Sequence, residues 1–225
     1  ISLRFALNAQ HQNINCRDVV NAFQAQSGDG TISGATESNS SSTQVQYRGC
    51  RAYLSNSSAV GFLARQTLGA RFENCVSEGS LGQHGFYFND ESASGRLVRT
   101  SFRCEDCYNE TLSIASQYRI DIAQGLVRID NPISAAAPDA VNSYAIDART
   151  SRDSIFQVGP SCYWQTFFNN TNPFLIDDAT TATTENLWVF DLNSLPEGTT
   201  FRDSSIWDGT QPNDAQILER SYMFE

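Results

Sequence analysis

A repeat of about 25 residues in the first half of the chain limits the fold more than any other feature. In both copies an aromatic residue precedes a cysteine by three positions, Tyr47 before Cys50 and Phe72 before Cys75. A Gly-Phe pair begins ten or eleven residues after each cysteine. Short strands with this period cannot bury their apolar faces alone, because each turn of chain must stack on its neighbours. The repeat therefore predicts a coiled β-solenoid.

Residues at equal positions of the repeat should lie above one another in successive coils, about 4.8 Å apart. We call such a row a ladder. Three interior ladders are expected, with a corner at Gly49 and Asn74: Tyr47 over Phe72, Cys50 over Cys75, and Phe62 over Phe86. The cysteines of a ladder are then buried free thiols that pack as small apolar groups.

Two further coils are expected at the ends of this pair. The Asn15-Cys16 dipeptide matches Asn74-Cys75 and predicts that Cys16 belongs to an earlier copy of the cysteine ladder. Downstream, either Cys104 or Cys107 can be the ladder residue. Cys107 gives a coil of 32 residues and places the aromatic residue at position 118 eleven residues after its cysteine, as in the preceding copy, so we prefer it.

The fold class predicted from these patterns is all-β, with two domains. Residues 1–138 are expected to form the parallel coils, with a Gly/Ser/Thr/Asn-rich loop at 27–43 inserted into one of them. Residues 139–225 contain β-prone runs without the repeat, which predicts a smaller β-rich C-terminal domain. Strand-like alternation begins at the first residue, so we also expect a further module upstream of it.

Composition and motifs argue against several kinds of function. The net charge of −10 disfavours a basic surface for nucleic acid or anionic membrane. There is no apolar run of about 18 residues, so no membrane insertion is expected. The sequence contains no Gly-x-Ser-x-Gly nucleophile, phosphate-binding loop, dinucleotide fingerprint or repeated calcium nonapeptide, so no cofactor is expected. The single Cys-x-x-Cys at 104–107 lacks a second pair, so no metal site is expected.

The pattern Phe-x-Asn-Cys-x-x-x-Gly at 72–79, closed by Gly-Phe-Tyr-Phe at 85–88, resembles the right-handed parallel β-helix of pectin-lyase-like proteins. Among these it is most similar to the tailspikes and tail fibres of tailed bacteriophages, over about residues 10–130. The resemblance implies an extracellular homotrimer in the virion tail, in contact with other tail proteins. Such a protein recognises, and often depolymerises, the capsule or O-antigen polysaccharide of the host. The C-terminal domain would then aid trimerisation or capping.

Two other functions stay open at this point. The chain fits a secreted, monomeric bacterial polysaccharide hydrolase or lyase, and it fits a structural virion spike without catalysis. A trimer in solution would favour the spike, whereas a monomer would favour the free enzyme. Cleavage of a host polysaccharide would separate a catalytic spike from a structural one.

Glycoside cleavage needs two carboxyl groups, about 5–5.5 Å apart for retention of configuration and 6.5–9.5 Å for inversion. Glu78 and Glu110 each follow their ladder cysteine by three residues, so they should be neighbours on adjacent coils, with Tyr53 one coil above as a substrate-binding residue. Like charges at such positions repel and should raise the pKa of one carboxyl, as a general acid requires. Further catalytic candidates at strand ends are Asp90, Glu91, Asp106 and Asp121.

A sugar-binding shelf is expected next to the best-formed coil. Tyr87 lies between two phenylalanines that should point inward, so its own ring should point outward. Arg119 is the aligned residue one coil on, and His84 is nearby. All fifteen basic residues of the chain are arginine, which can make forked contacts with the carboxylate of an acidic sugar.

Overall fold

The computed structural model describes residues 2–4, 10–17, 21–26, 44–65, 67–89, 100–111, 114–122, 124–134, 144–148, 151, 154–159, 163–164, 174–177, 186–191, 201–203 and 215–220. These residues form twenty-one β-strands and no helix. The predicted loop at 27–43, the candidates Asp90 and Glu91, and Cys162 lie outside the described residues.

The described strands form three long faces, and every strand pair within them is parallel. Face 1 runs in the order β2 (Gln10–Gln12), β5 (Val45–Arg48), β8 (Ala70–Glu73), β10 (Thr100–Glu105), β13 (Gly125–Asp130), β16 (Ser154–Gly159), β19 (Asn186–Asp191) and β21 (Ala215–Arg220). Face 2 runs in the order β3 (Asn15–Arg17), β6 (Arg51–Ser55), the first part of β9 (Val76–Asn89), β11 (Tyr108–Thr111), β14 (Ile133–Ser134) and β17 (Tyr163–Trp164).

Face 3 completes each coil. It runs in the order β1 (Ser2–Arg4), β4 (Asn21–Gln26), β7 (Val60–Arg65), the second part of β9, β12 (Ile114–Asp121), β15 (Tyr144–Asp147), β18 (Phe174–Asp177) and β20 (Phe201–Asp203). Strand β9 passes through the corner between faces 2 and 3, pairing first with β6 and β11 and then with β7 and β12. The chain is thus a parallel β-solenoid, which confirms the all-β fold class.

The register between coils agrees with the ladders expected from the repeat. Tyr47 pairs with Phe72, and Phe62 pairs with Phe86. Backbone hydrogen bonds link the cysteine positions in turn: Val76 N–H donates to Cys50 O at 2.8 Å, Tyr108 N–H to Cys75 O at 2.9 Å, and Ile133 N–H to Cys107 O at 3.0 Å. Cys107 is therefore the ladder residue of its coil, as preferred, and Cys104 lies on face 1 beside Phe72.

The predicted register of the first coil, with Cys16 in the cysteine ladder, is wrong by two residues. Cys16 pairs with Ala52, whereas Ile14 occupies the cysteine position and accepts the Arg51 N–H at 2.8 Å. The physical reason is the aromatic ladder. Alignment on Cys16 would place an asparagine in the buried row above Tyr47, but alignment on Ile14 places the His11 ring there, stacked with a centroid distance of 5.5 Å.

The corner between faces 1 and 2 has the same backbone geometry in successive coils. Its residues adopt positive φ angles between 47° and 59°: Asn13, Gly49, Asn74, Asp106 and Asn131. Each of the middle three donates its N–H to a carbonyl of the next coil at 2.9–3.0 Å. Only Gly, Asn and Asp adopt this left-handed conformation at low cost, so the corner explains their presence at these positions.

Two rows of stacked aromatic rings run through the interior. The first row has centroid spacings of 4.8, 4.8 and 5.4 Å and contains Phe23, Phe62, Phe86 and Tyr118. The second row has spacings of 5.4, 5.7 and 4.9 Å and contains Tyr47, Phe72, Phe88 and Phe102. Rings of the two rows meet edge to face, as Phe62 and Phe72 do at 5.7 Å. All eight side chains are fully buried, so these rows form much of the core.

The cysteine ladder lies inside the same core as reduced thiols. Cys50, Cys75 and Cys107 are fully buried and form no disulfide. The Cys75 thiol donates to Tyr47 O at 3.3 Å, and the Cys107 thiol donates to Phe72 O at 3.4 Å. Burial raises the pKa of Cys107 well above its ordinary value. The prediction of buried free thiols is confirmed for these three residues.

Charged residues on the outer side of face 1 compensate one another between coils. Glu73 and Glu105 are register neighbours, which would be unfavourable by themselves. Arg48 contacts Glu73 at 2.6 Å, and Arg71 contacts Glu105 at 2.7 Å. The like-charge ladder is therefore interleaved with arginines.

The described strands after residue 139 belong to the same faces as those before it. Strand β15 pairs with β12, and β16 pairs with β13. The division into domains at 138/139 stays a prediction. Within the described residues there is no helix with the length and hydrophobicity that a membrane crossing needs.

Candidate functional site

The structure places the predicted site residues on two different faces. Glu78, Glu110 and Tyr53 lie on face 2, in β9, β11 and β6. The residues of the expected shelf, His84, Tyr87 and Arg119, lie on face 3 together with Asp121. Asp106 lies at the corner between faces 1 and 2, where it accepts a hydrogen bond from Asn131 Nδ2 at 3.0 Å. The proposed acids and the proposed sugar shelf therefore belong to separate surfaces.

On face 2 the expected neighbours are in register. Tyr53 pairs with Glu78, and Glu78 pairs with Glu110. Arg51 Nη1 lies 3.4 Å from Glu78 Oε1, and the Tyr108 hydroxyl donates to Glu110 Oε2. The two glutamates thus lie on adjacent coils, each beside a compensating group, and their catalytic role stays a prediction.

Two aromatic side chains flank this pair. Burial, the hydrogen bond to Glu110 and the glutamate charges raise the pKa of Tyr108 to about 12, so its hydroxyl remains a donor at neutral pH. The Arg17 guanidinium lies 5.3 Å from the centroid of the Tyr53 ring, a cation–π arrangement. One side of the Tyr53 ring is therefore already occupied by Arg17.

Face 3 contains a groove of about 570 Å³ at the expected shelf. Its walls come from β9, β12 and β15 and comprise Gln83, His84, Tyr87, Ala115, Arg119, Asp121, Tyr144 and Asp147. The strand alternation explains why Tyr87 faces outward, since Phe86 and Phe88 on either side of it are fully buried. Arg119 lies one coil further along the chain and pairs with Tyr87, as predicted from the sequence.

Arg119 is held by two aspartates of the groove. Its Nη2 lies 2.7 Å from Asp121 Oδ1 and its Nε donates to Asp121 Oδ2 at 3.1 Å, a forked contact. Its Nη1 donates to Asp147 Oδ2 on the neighbouring coil. Burial by itself would lower the pKa of Arg119, but the two carboxylates outweigh it and raise the pKa above the ordinary value. The guanidinium therefore remains charged and is oriented by groups on both sides.

The Tyr87 hydroxyl joins the same network. It donates to Asp121 Oδ2 at 2.8 Å and accepts a hydrogen bond from Asn89 Nδ2 at 2.9 Å. Burial and the charge of Asp121 raise the pKa of Tyr87 to about 12. The phenol is therefore protonated at neutral pH and fixed in orientation, while its ring remains partly exposed to the groove.

His84 forms the inner wall and is neutral at pH 7. Only 9% of its surface is exposed, and burial, followed by the charge of Arg119, lowers its pKa to about 4. Its Nδ1 lies 2.8 Å from the Ser116 hydroxyl, and its ring centroid lies 5.3 Å from that of Tyr87. Because Ser116 is completely buried, this histidine–serine contact positions His84 and offers no accessible nucleophile.

Asp147 and Tyr144 are groove residues that the sequence reasoning missed. They lie beyond residue 139, where the cysteine repeat has ended. The motif Tyr-x-Ile-Asp does occur both at 118–121 and at 144–147, but aligning the two copies would place Asp147 beside Asp121. The structure shifts the register by two and pairs Asp147 with Arg119 instead, which places opposite charges side by side.

Among the residues that the structure describes, no group of three or more His, Cys, Asp or Glu side chains is arranged to hold a metal ion. No protein-family model matches the chain, and no curated protein or solved structure matches it either. The fold itself defines the class: a parallel β-solenoid, an architecture common among proteins that bind or degrade polysaccharides.

Proposed function

We propose that the chain recognises a polysaccharide and that the groove on face 3 is the binding site. The observation that carries this proposal is the register of β9, β12 and β15, which brings Tyr87, Arg119 and Asp147 from three successive coils into one groove. Its volume of about 570 Å³ is within the usual range of ligand pockets, about 300–1,000 Å³. A groove that crosses coils suits an extended polymer.

The groove offers the two kinds of contact that a sugar ring can use. The ring of Tyr87 supplies an apolar surface with a polar end. The carboxylates of Asp121 and Asp147 supply acceptors for hydroxyl groups. Because the Tyr87 hydroxyl and the Arg119 guanidinium are already fixed by hydrogen bonds, little side-chain freedom is lost on binding.

A finer proposal concerns the biological setting. The motif at 72–88 resembles phage tailspikes and tail fibres, and a parallel β-solenoid is compatible with that resemblance. We propose that the chain acts as a homotrimeric host-attachment protein of a virion tail, outside the cell, with capsule or O-antigen as its ligand. Its mass in solution tests this setting: a trimer is expected, and a monomer would instead favour a secreted polysaccharide-processing enzyme.

Cleavage of the polysaccharide is a second candidate function, supported by the adjacent glutamates on face 2. Glu78 and Glu110 are direct register neighbours, so adjacent coils supply the two carboxyl groups that glycoside hydrolysis uses. In the groove, by contrast, Asp121 and Asp147 are both bonded to Arg119, which suits recognition better than proton transfer. New reducing ends or unsaturated products from a host polysaccharide would support cleavage. Glu78→Gln and Glu110→Gln variants that cut as well as wild type would eliminate this pair.

A pair of matched substitutions tests the binding site. Ala115 is an exposed groove residue, and Ser101 is an exposed residue on face 1. Replacing either with tryptophan adds the same bulk without removing a core contact. We expect Ala115→Trp to weaken binding to host capsule or O-antigen at least tenfold, measured by calorimetry, and Ser101→Trp to leave it unchanged. Binding by Ala115→Trp at the wild-type level would exclude the groove as the site.

A further inference from the structure

We infer that the groove on face 3 selects uncharged and amino sugars and rejects sugars that carry a carboxylate. This inference rests on the proposed function of the groove, and it assigns the substrate class. It also reverses the expectation from the sequence that arginine would bind an acidic sugar.

The first argument is that Arg119 is already neutralised. Each of its three guanidinium nitrogens contacts an aspartate oxygen, with Nε and Nη2 on Asp121 and Nη1 on Asp147. A sugar carboxylate that approached the second N–H of Nη1 or Nη2 would lie close to the two aspartates. One that took the forked position on Nε and Nη2 would have to displace Asp121. The displaced aspartate would then be a buried charge without its partner, which is strongly unfavourable.

The second argument is the sign of the charge in the groove. Its lining carries one formal positive charge, on Arg119, and two negative charges, on Asp121 and Asp147. His84 and Tyr87 add none at neutral pH. A third carboxylate would therefore meet a net negative site, within a chain whose own net charge is −10.

The third argument is burial, which strengthens this repulsion. The side chains of Arg119, Asp121 and Asp147 are 15%, 11% and 5% exposed. Solvent screens such groups weakly, so a charge placed beside them interacts more strongly than it would on an open surface. The same carboxylate oxygens can accept hydrogen bonds from a hydroxyl or an ammonium group, because each oxygen has more than one lone pair.

The experiment compares each polysaccharide with its own neutral derivative. Acidic capsule and O-antigen polymers are tested at pH 7 before and after chemical reduction of their carboxylates to hydroxymethyl groups, which keeps the linkages unchanged. We expect the reduced polymer to bind at least tenfold more tightly than its acidic parent, and the difference to shrink when the salt concentration rises from 10 mM to 1 M. Equal or tighter binding of the acidic parent would overturn the inference while leaving a glycan-binding groove intact.

Two variants show whether the groove causes the discrimination. Asp147→Asn removes one negative charge from the groove and should lower the ratio of the affinities for the reduced and the acidic polymer about tenfold. Glu73→Gln removes the same charge from face 1 and should leave the preference unchanged. If Asp147→Asn fails to fold by circular dichroism, the salt dependence of the wild-type preference decides the question. Absence of binding by every polymer, acidic or reduced, would overturn the proposed function and this inference with it.

Discussion

Replacing Phe86 with alanine should remove the ring that joins three neighbours in the core. Phe86 is fully buried in β9. It stacks on Phe62 at a centroid distance of 4.8 Å and on Tyr118 at 5.4 Å, and it meets Phe72 edge to face at 5.7 Å. The substitution therefore interrupts one aromatic row and its contact with the other.

The expected loss of stability follows from these contacts. A buried phenylalanine truncated to alanine costs about 3–5 kcal/mol, through lost transfer free energy and the cavity that remains. Aromatic pairs contribute about 0.5–1.5 kcal/mol each beyond the buried area. Because Phe86 has three such partners and no exposed surface, we expect a value near the upper end, about 4–5 kcal/mol.

Urea unfolding of the full chain, followed by circular dichroism, measures this loss as a change in the free energy of unfolding. Leu126→Ala is the control, since that leucine on face 1 is 37% exposed and its truncation should change stability by less than about 1 kcal/mol. A loss below about 1.5 kcal/mol for Phe86→Ala would refute the stacked interior.

Three further predictions concern individual positions. A Cβ at Gly85 would lie 2.1 Å from Asn109 Oδ1, so Gly85→Ala should lower the free energy of unfolding by about 2 kcal/mol. A Cβ at Gly69 would lie 3.9 Å from its nearest atom, so Gly69→Ala should be neutral or slightly stabilising. Urea unfolding measures both. Asn74 has a φ of 50°, so Asn74→Gly should be tolerated within about 1 kcal/mol and Asn74→Val should cost about 2 kcal/mol or more in the same assay. Burial lowers the pKa of His84 from 6.5 to about 4, so between these pH values the unfolded chain binds a proton there that the folded chain does not. As the pH falls from 6.5 to 4, the free energy of unfolding of wild type should therefore decrease by about 3 kcal/mol more than that of His84→Gln, measured by urea unfolding at each pH.

Each of these has a clear contrary outcome. Equal stability of the two glycine variants would show that the coils are farther apart near Gly85 than the structure places them. A valine tolerated at position 74 would mean that the corner is not left-handed. Parallel pH profiles of wild type and His84→Gln, over the window in which the folded and unfolded histidines differ in charge, would mean that His84 is not buried.

The ladders of the central coils were predictable because their positions repeat in the sequence. The aromatic residue three positions before Cys50 and Cys75 fixes two points of each coil, and counting from the cysteines was enough to place Glu78 beside Glu110. The same counting failed at Cys16, where the residue three positions earlier is Asn13. An asparagine in the buried aromatic row would be unfavourable, and the register of this coil differs by two residues, so that His11 occupies the row instead.

The groove was predictable only in part. Alternation along β9 indicated the outward direction of Tyr87, and the coil length indicated that Arg119 would lie beside it. Counting along the chain does not show where a strand bends, so it did not reveal that β9 carries Glu78 on one face and Tyr87 on another. Asp147 is the partner of Arg119 because the register places the two side by side on adjacent coils, and that register cannot be read from the sequence alone.

The most direct measurement is a crystal or cryo-EM structure of the chain with a bound oligosaccharide from the polysaccharide that we propose as its ligand. We predict sugar rings on face 3, in contact with the Tyr87 ring and hydrogen-bonded to Asp121 or Asp147. Sugar rings bound on face 2 beside Glu78 and Glu110, with the groove on face 3 empty, would contradict the account.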